Sequence, residues 1–475
     1  MTEAVRRRSI FSPLLLVGWF LCLVLTATDQ WLLGPSLFVL LIGWRIIPRK
    51  GEAPVVAAAF AFQWLQVTLA LFYMAIIGRR ITEMKIDYQP IVLVSLASIA
   101  AYFGGYLILR ARRGDSDRTQ QFVNDKLSLS FVALSYVATI GISALLLRIA
   151  WLFPAITQLL FVLSFTRYAL LYLLVVRLLN PTARWGLVFL VLGAELAMGF
   201  GGYFASFKDS LIFIGLAIVV SRKPKRLMSW VALIAVVTVA FSAGLAWTAI
   251  KGAVRKEYSS TSNTTERLQR AMSVLIPAIE HPVVPWGEQV DHMVSRIWQV
   301  YYPALALKHV PAFVPHENGK ILMGALSNTL KPRIFFPDKG ILASESELVK
   351  KYAGVRVAGR ESNTSIAFGY VAESYVDYGW PGLLVPIFLF GCVLGLADRL
   401  LPEFIRNPDL LQSVRVVVFW SAMASFEASW VFMIGTFVSL YVTLTLAAVA
   451  FERGFKLAAP RNSRISNQAT FAVGS

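Results

Sequence analysis

The sequence predicts an all-α polytopic membrane protein with about 12 transmembrane helices and one large extracytoplasmic loop. Hydrophobic residues make up 57% of its 475 residues and charged residues 15%, and the mean hydropathy is +0.63. Soluble domains carry about 25% charged residues. A chain with so few charged residues is typical of a membrane protein. Apolar windows of about 20 residues, the length that crosses a hydrocarbon core, recur along the chain. A β-barrel would instead show alternating segments of about ten residues.

Short charged or turn-forming segments separate the apolar windows and define the spans. Nine spans are predicted in an N-terminal membrane region (1–250) and three in a C-terminal region (380–452), with a cytoplasmic tail at 453–475 that we expect to be disordered. The spans lie at about 10–27, 31–47, 54–77, 90–109, 127–147, 154–176, 185–203, 209–220, 229–250, 381–397, 416–432 and 435–451.

The distribution of basic residues predicts the orientation. Lysine and arginine accumulate in cytoplasmic loops, and a cytoplasmic N-terminus places the basic segments at 6–8, 49–50, 110–113, 177–184 and 221–226 on that side. The C-terminus is then cytoplasmic as well. This rule accounts for most of the net charge of +18, so we expect no nucleic-acid partner. Both cysteines lie in apolar spans far apart in sequence, and no disulfide framework is implied.

The long segment at 251–379 is predicted to lie outside the cytoplasm, in the periplasm. It holds 15 Lys/Arg and 12 Asp/Glu, the balance of a folded soluble loop. Long loops without a role are uncommon, so its length indicates function. Apolar periodicity predicts loop helices at about 268–279, 288–302 (ended by Pro303) and 344–354, the last with a Ser344/Glu347 capping box.

Ionisable residues inside apolar spans are candidates for function, because a charge at mid-bilayer costs at least about 2.5–3.5 kcal/mol. Lys208 follows the glycine-rich GFGGYFASF at the outer end of a span. It either flanks an interfacial turn or binds an anion, with Glu195 as a possible partner. Glu427 in the eleventh span and Arg167 in the sixth are expected to pair or hydrogen-bond between helices.

The stretch at 331–382 combines cations, aromatics, proline and glycine. Arg333 and Lys339 flank an aromatic pair, and an arginine fork suits phosphate oxygens. Glu373, between Tyr370 and Tyr375, precedes the tenth span, where a carboxylate can act as a base on a hydroxyl. The alternative interpretation is an interfacial belt of aromatics and charges.

All four histidines lie in the loop, and their spacing fits no metal template. We therefore predict no metal site. His281 and His292 are candidates for a general base, since an imidazole pKa near 6.5 suits that role, although an ordinary structural role is the simpler interpretation for either.

Two motifs carry a resemblance to a known family. KPRIFFPDK (331–339), followed by AESYVDYGWPG (372–382) and a glycine-containing helix, resembles the Wzy-type O-antigen and oligosaccharide repeat-unit polymerases. Gly340 stands where that family often has a second proline. The region of Lys208 resembles the family's basic element at the outer end of a helix, where many members have arginine.

The resemblance implies a membrane glycosyltransferase of the bacterial inner membrane. Such an enzyme joins glycan units carried on undecaprenyl pyrophosphate, in the lipid bilayer and without a cofactor, and works beside a flippase and a chain-length regulator. An O-antigen ligase is an alternative with related chemistry. A transporter or flippase of lipid-linked sugars is an alternative of another class.

The implied roles follow the chemistry of a pyrophosphate leaving group. Cations must stabilise its developing charge, and a base must orient or deprotonate the acceptor hydroxyl. The first role falls to Arg333, Lys208 and Lys339, and the second to Glu373, with His281 or His292 as substitutes. The residues expected to hold glycan or pyrophosphate are Arg255, Arg356, Arg360, Tyr370 and Tyr375.

Overall fold

All regular secondary structure in the described part of the chain is helical. The computed structural model describes residues 13–47, 54–110, 127–153, 156–181, 183–200, 207–221, 273, 286–331, 335–336, 338–340, 342–359 and 365–458. The helices before the loop are α1 (Pro13–Thr26), α2 (Leu33–Ile46), α3 (Val55–Ile76), α4 (Gln89–Arg110), α5 (Leu129–Leu152), α6 (Thr157–Ser164), α7 (Thr166–Leu179), α8 (Trp185–Phe200) and α9 (Phe207–Ser221). The loop helices are α10 (Trp286–Ile297), α11 (Tyr301–His309), α12 (Lys320–Leu330), α13 (Glu345–Tyr352) and α14 (Tyr370–Gly382). Three more follow: α15 (Leu384–Phe404), α16 (Pro408–Met423) and α17 (Trp430–Ala458).

Six described helical stretches are long and apolar enough to cross a membrane, so the chain is an all-α membrane protein. They are Val55–Ile76, Gln89–Arg110, Leu129–Ala150, Thr157–Leu179, Leu384–Phe404 and Trp430–Gly454. The total of twelve spans and the orientation stay predictions. The predicted ninth span, at 229–250, lies outside the described residues. The predicted tail begins later than expected, because α17 continues to Ala458.

Helices α4 and α15 run parallel and their backbones approach closely. A Cβ added at Gly391 or Gly395 would collide with the backbone carbonyl of Tyr102 or Tyr106, and one added at Gly105 would collide with the backbone of α15. Small residues at a four-residue interval allow helix backbones to approach within a membrane. We call Gly105, Gly391 and Gly395 the glycine seam.

One end of this pair is held by a buried carboxylate. The Asp398 side chain is 1% exposed and lies 2.7 Å from Arg110 Nε and 2.6 Å from Arg415 Nε. It also accepts a hydrogen bond from the Tyr106 hydroxyl. A buried carboxylate needs partners of this kind, because an uncompensated buried charge is strongly destabilising.

A second buried carboxylate, Glu195, has partners that differ from those the sequence suggested. Arg167 Nη2 lies 2.5 Å from Glu195 Oε2, Ser210 donates to the same oxygen at 2.6 Å, and the Tyr136 hydroxyl donates to Oε1. The expected pairing of Arg167 between helices is confirmed. The suggested pairing of Glu195 with Lys208 is wrong, because Lys208 is exposed while Glu195 is enclosed by these three partners.

The loop helices follow the predictions in part. The Ser344/Glu347 capping box is confirmed at the start of α13. The helix predicted at 288–302 is two helices, α10 and α11, and Pro303 lies in the first turn of α11, a position that tolerates proline. The predicted helix at 268–279 lies outside the described residues except for residue 273.

Helices α12 and α14 were not predicted, and they depend on each other. The Asp377 carboxylate of α14 accepts hydrogen bonds from the first amides of α12, at 3.1 Å from Ile321 N and 2.9 Å from Leu322 N. A carboxylate at a helix N-terminus satisfies amides that have no partner within the helix. Near its end α14 turns at Gly379, whose φ of +61° favours glycine.

The glycine seam predicts a contrast between adjacent glycines of α4. Gly105→Ala should lower the melting temperature of the purified protein in detergent, since overpacking costs about 1–3 kcal/mol. Gly104→Ala is the matched control, because a Cβ at Gly104 meets nothing within 4 Å, and alanine favours the helix intrinsically. Equal melting temperatures for the two variants would contradict the close approach.

Candidate functional site

The site is built on an interruption between α16 and α17. The sequence predicted a continuous span at 416–432, and this is wrong: α16 ends at Met423, and residues 424–429 are not helical. Helix α17 restarts at Trp430 after Ser429, whose hydroxyl accepts the Phe432 amide at 3.3 Å. Glu427 therefore lies in the interruption and not inside a span.

Two glutamines of α3 satisfy the backbone where α16 ends. Gln63 Nε2 donates to the Met423 carbonyl at 2.6 Å, and Gln66 Nε2 donates to the Ala424 carbonyl at 2.8 Å. Gln66 Oε1 also accepts the Phe426 amide at 3.0 Å. Both glutamine side chains are buried. Buried backbone amides and carbonyls need hydrogen-bond partners, so these side chains replace the missing helical partners.

Helix α14 covers the other side of the interruption. Its first amide, Tyr370 N, donates to the Ala428 carbonyl at 2.7 Å, and the Tyr370 hydroxyl donates to Gln63 at 2.8 Å. Gly369, just before the helix, has φ +91°, and a Cβ there would lie 3.2 Å from the Phe426 carbonyl oxygen. A larger residue would hold α14 away from the interruption.

Glu373 closes the start of α17. Its Oε2 accepts the Trp430 amide at 2.8 Å, and the neighbouring Ser374 hydroxyl accepts the Trp430 indole N–H at 2.9 Å. The Glu373 side chain is 0% exposed, and its Oε1 has no hydrogen-bond partner among the described residues. Helix α14 is outside the six candidate spans, and burial raises the pKa of Glu373 to about 8, with the Trp430 amide opposing the shift.

Glu427 has a different environment. Its side chain is exposed, yet desolvation by surrounding protein raises its pKa. Solvent therefore reaches this side chain although protein surrounds it. Lys208 at the start of α9 and Arg296 in the last turn of α10 act electrostatically to lower this pKa, and Glu345 at the start of α13 raises it. We call Lys208, Arg296, Glu345 and Glu427 the charged recess; both cations in it are exposed.

A family model covers most of the chain, at residues 71–453, and its description is a domain of unknown function (DUF8712). The chain belongs to this family. The matched region contains α14, the interruption and the whole charged recess. No curated protein and no solved structure matches the chain.

Within the family region, Lys339 is fixed against the end of α12. Its ammonium donates to the carbonyls of Asn328 and Lys331, the latter at 2.9 Å. A cation at a helix C-terminus satisfies carbonyls that have no partner within the helix. Among the described residues, no hydrogen bond or ion pair joins Lys339 to Glu373.

The other predicted site residues are dispersed. Tyr375 donates to the Val310 carbonyl at 3.2 Å, and Tyr370 at the start of α14 donates to the Ala428 carbonyl of the interruption. His292 on α10 and Arg356 after α13 are exposed. The predicted residues Arg333, Arg255, Arg360 and His281 lie outside the described residues.

Sequence reasoning missed the glutamines of α3, Arg296 and Glu345. The sequence did contain a signal for the two glutamines, because Gln63 and Gln66 are three residues apart and share one face of an apolar helix. A signal for the interruption was Ser429, a helix-capping residue type in the middle of an apolar window. Arg296 had no comparable signal, since its position depends on how α10 packs.

The environment of Glu373 predicts a pH effect on stability. Glu373→Gln keeps an oxygen acceptor for the Trp430 amide and removes the titration. Because the folded pKa of about 8 exceeds the ordinary 4.5, the folded state keeps a proton that the unfolded state releases, and stability falls as pH rises through that range.

The melting temperature of the wild-type protein should therefore fall relative to that of the glutamine variant between pH 5 and pH 8. We expect a change of at least about 2–4 °C, the shift that 1 kcal/mol produces in a mid-sized domain. Other titrating groups are common to both proteins and cancel in the difference. A difference that stays constant with pH would contradict the raised pKa.

Proposed function

We propose that this protein is a membrane glycosyltransferase that polymerises undecaprenyl-pyrophosphate-linked oligosaccharide units into a surface polysaccharide. The motifs at 331–339 and 372–382 support the family resemblance. The second motif lies in α14, whose Glu373 and Ser374 accept hydrogen bonds from Trp430 at the end of the interruption. The residues that carry the resemblance are thus part of the candidate site.

The observation that carries the proposal is the charged recess. Transfer from a pyrophosphate carrier requires cations for the leaving group and a base for the acceptor hydroxyl. The recess has two exposed cations, Lys208 and Arg296, within electrostatic range of a carboxylate that solvent reaches. Loop helices α10 and α13 contribute to it, so one side of the recess is formed by the segment that we predict to be periplasmic.

The contacts of Lys339 favour Lys208 and Arg296 for the pyrophosphate. The Lys339 ammonium already donates to two backbone carbonyls, and binding an anion would require breaking those bonds. Lys208 and Arg296 are exposed, and among the described residues neither side chain forms an ion pair or donates a hydrogen bond. Arg333 keeps its predicted role on the sequence alone.

A transporter of lipid-linked sugars is a second candidate, and the interruption favours it. Secondary transporters bind substrates at discontinuous transmembrane helices, whose unwound backbone lines the site. Here, however, the described amides and carbonyls at 423, 424, 426 and 428 are bonded to α3 and α14. They are occupied by protein, which favours a fixed catalytic site over a backbone that coordinates cargo.

Deleting the gene tests the proposal by the glycan that remains. A polymerase deletion should leave single repeat units on the cell surface and no long chains on a gel, and a plasmid copy should restore them. Full-length polymer retained on the carrier lipid would support a ligase instead. Single units confined to the cytoplasmic leaflet would support a transporter, and an unchanged glycan would contradict all three.

A further inference from the structure

Glu427 is the carboxylate of the interruption that a substrate can reach. Glu373 is 0% exposed, whereas Glu427 is exposed. A general base must come within hydrogen-bond reach of the proton that it takes. In this conformation the buried Glu373 carboxylate is out of reach of an acceptor hydroxyl that approaches from outside the protein.

The backbone holds Glu427 in a fixed position. The Phe426 amide on one side is bonded to Gln66 at 3.0 Å, and the Ala428 carbonyl on the other side is bonded to Tyr370 N at 2.7 Å. A catalytic side chain is effective when the residues supporting it are locked by packing and hydrogen bonds. The non-helical geometry at Glu427 is thus specified by two different helices, α3 and α14.

The charges around Glu427 come from side chains on three other helices, and the two cations among them suit the pyrophosphate of a glycosyl donor. Lys208 on α9 and Arg296 on α10 supply positive charge beside the carboxylate, and Glu345 on α13 supplies negative charge. The Ser365 hydroxyl donates to Glu345 at 3.3 Å. Transfer from a pyrophosphate needs positive charge for the leaving group within range of the base that deprotonates the acceptor, and this group of residues has both.

We propose that Glu427 is the general base of the transfer reaction and that Lys208 and Arg296 bind the donor's pyrophosphate; this rests on the proposed function. The Glu427 carboxylate takes the proton of the acceptor hydroxyl as that oxygen bonds to the anomeric carbon of the donor glycan. The bond from that carbon to the pyrophosphate oxygen breaks, and undecaprenyl pyrophosphate leaves with the electron pair. The proton then passes from Glu427 to water.

Glu373 becomes a positioning residue in this scheme. Its bond to the Trp430 amide fixes the start of α17, three residues after Glu427. The acceptor is a sugar hydroxyl of a second carrier-linked unit, and desolvation makes Glu427 a stronger base for it. The cations keep the leaving group in place and limit the loss of ionised carboxylate.

The first test replaces single carboxylates in the deletion strain. Glu427→Gln should lower polymer formation about 10²–10⁴-fold, with wild-type amounts of protein in the membrane and a wild-type melting temperature, because its exposed carboxylate makes no hydrogen bond in the described structure. Glu427→Asp should restore part of the activity. Glu83→Gln, which changes an exposed carboxylate of the 3-10 turn Ile81–Glu83, is the matched control and should make normal polymer.

The second test measures binding of farnesyl pyrophosphate, a soluble carrier analogue, to the purified full-length protein in detergent by calorimetry. Lys208→Ala and Arg296→Ala should each weaken binding about tenfold, because each removes a charge-assisted contact. Glu427→Gln should bind as well as wild type or better, since a negative charge is removed. Lys85→Ala, at an exposed lysine outside the recess, should change nothing.

These outcomes separate the two levels of the proposal. Normal polymer from Glu427→Gln, in a strain whose deletion removes polymer, would overturn the base assignment and leave the proposed function intact. Unweakened binding in both cation variants would overturn the pyrophosphate site. A deletion that leaves the glycan unchanged would overturn the proposed function, and the base assignment with it.

Discussion

The unpaired backbone groups between α16 and α17 constrain much of the packing around them. A buried amide or carbonyl without a partner costs about 1–3 kcal/mol. The chain meets this requirement with side chains, which is why two glutamines lie inside the apolar helix α3. It also brings in α14, whose first turn bonds to the interruption at Tyr370 and Glu373. A short loop helix is thereby tied to the membrane helices.

This constraint links the predicted loop to the membrane region. Helix α14 bonds at one end to the interruption and, through Asp377, to the start of α12. The segment after α12 is fixed in turn by Lys339. The two motifs of the family resemblance, far apart in sequence, are therefore connected through successive helix-end contacts. These contacts position the motifs without bringing Lys339 and Glu373 into direct contact in the described structure.

The sequence predicted those features that depend on local pattern. Apolar windows located the helices from α1 to α9, with the single window at 154–176 covering both α6 and α7. The Ser344/Glu347 spacing located α13, because hydrophobic length and capping are properties of adjacent residues. The interruption was missed because a window average hides the polar Ser429 and Glu427 among apolar neighbours. Helix α14 was missed because its buried polar groups have partners on α12 and α17, which only the three-dimensional packing reveals.

The same distinction explains why Glu373 was the candidate base in the sequence and Glu427 is the candidate in the structure. Two carboxylates near one interruption acquire different chemistry from their surroundings. Among the described residues Glu373 has one backbone amide as a hydrogen-bond partner and no cation that shifts its pKa, so desolvation dominates and favours its neutral form. Glu427 is exposed and lies within electrostatic range of two cations, which oppose desolvation in part, although desolvation remains the larger effect and its pKa is raised as well. Because Glu373 fixes the segment that carries Glu427, losing either side chain would impair transfer, so a loss of activity alone does not identify the base. Exposure does distinguish them, since a base must come within hydrogen-bond reach of the acceptor hydroxyl, and of the two carboxylates only Glu427 is exposed.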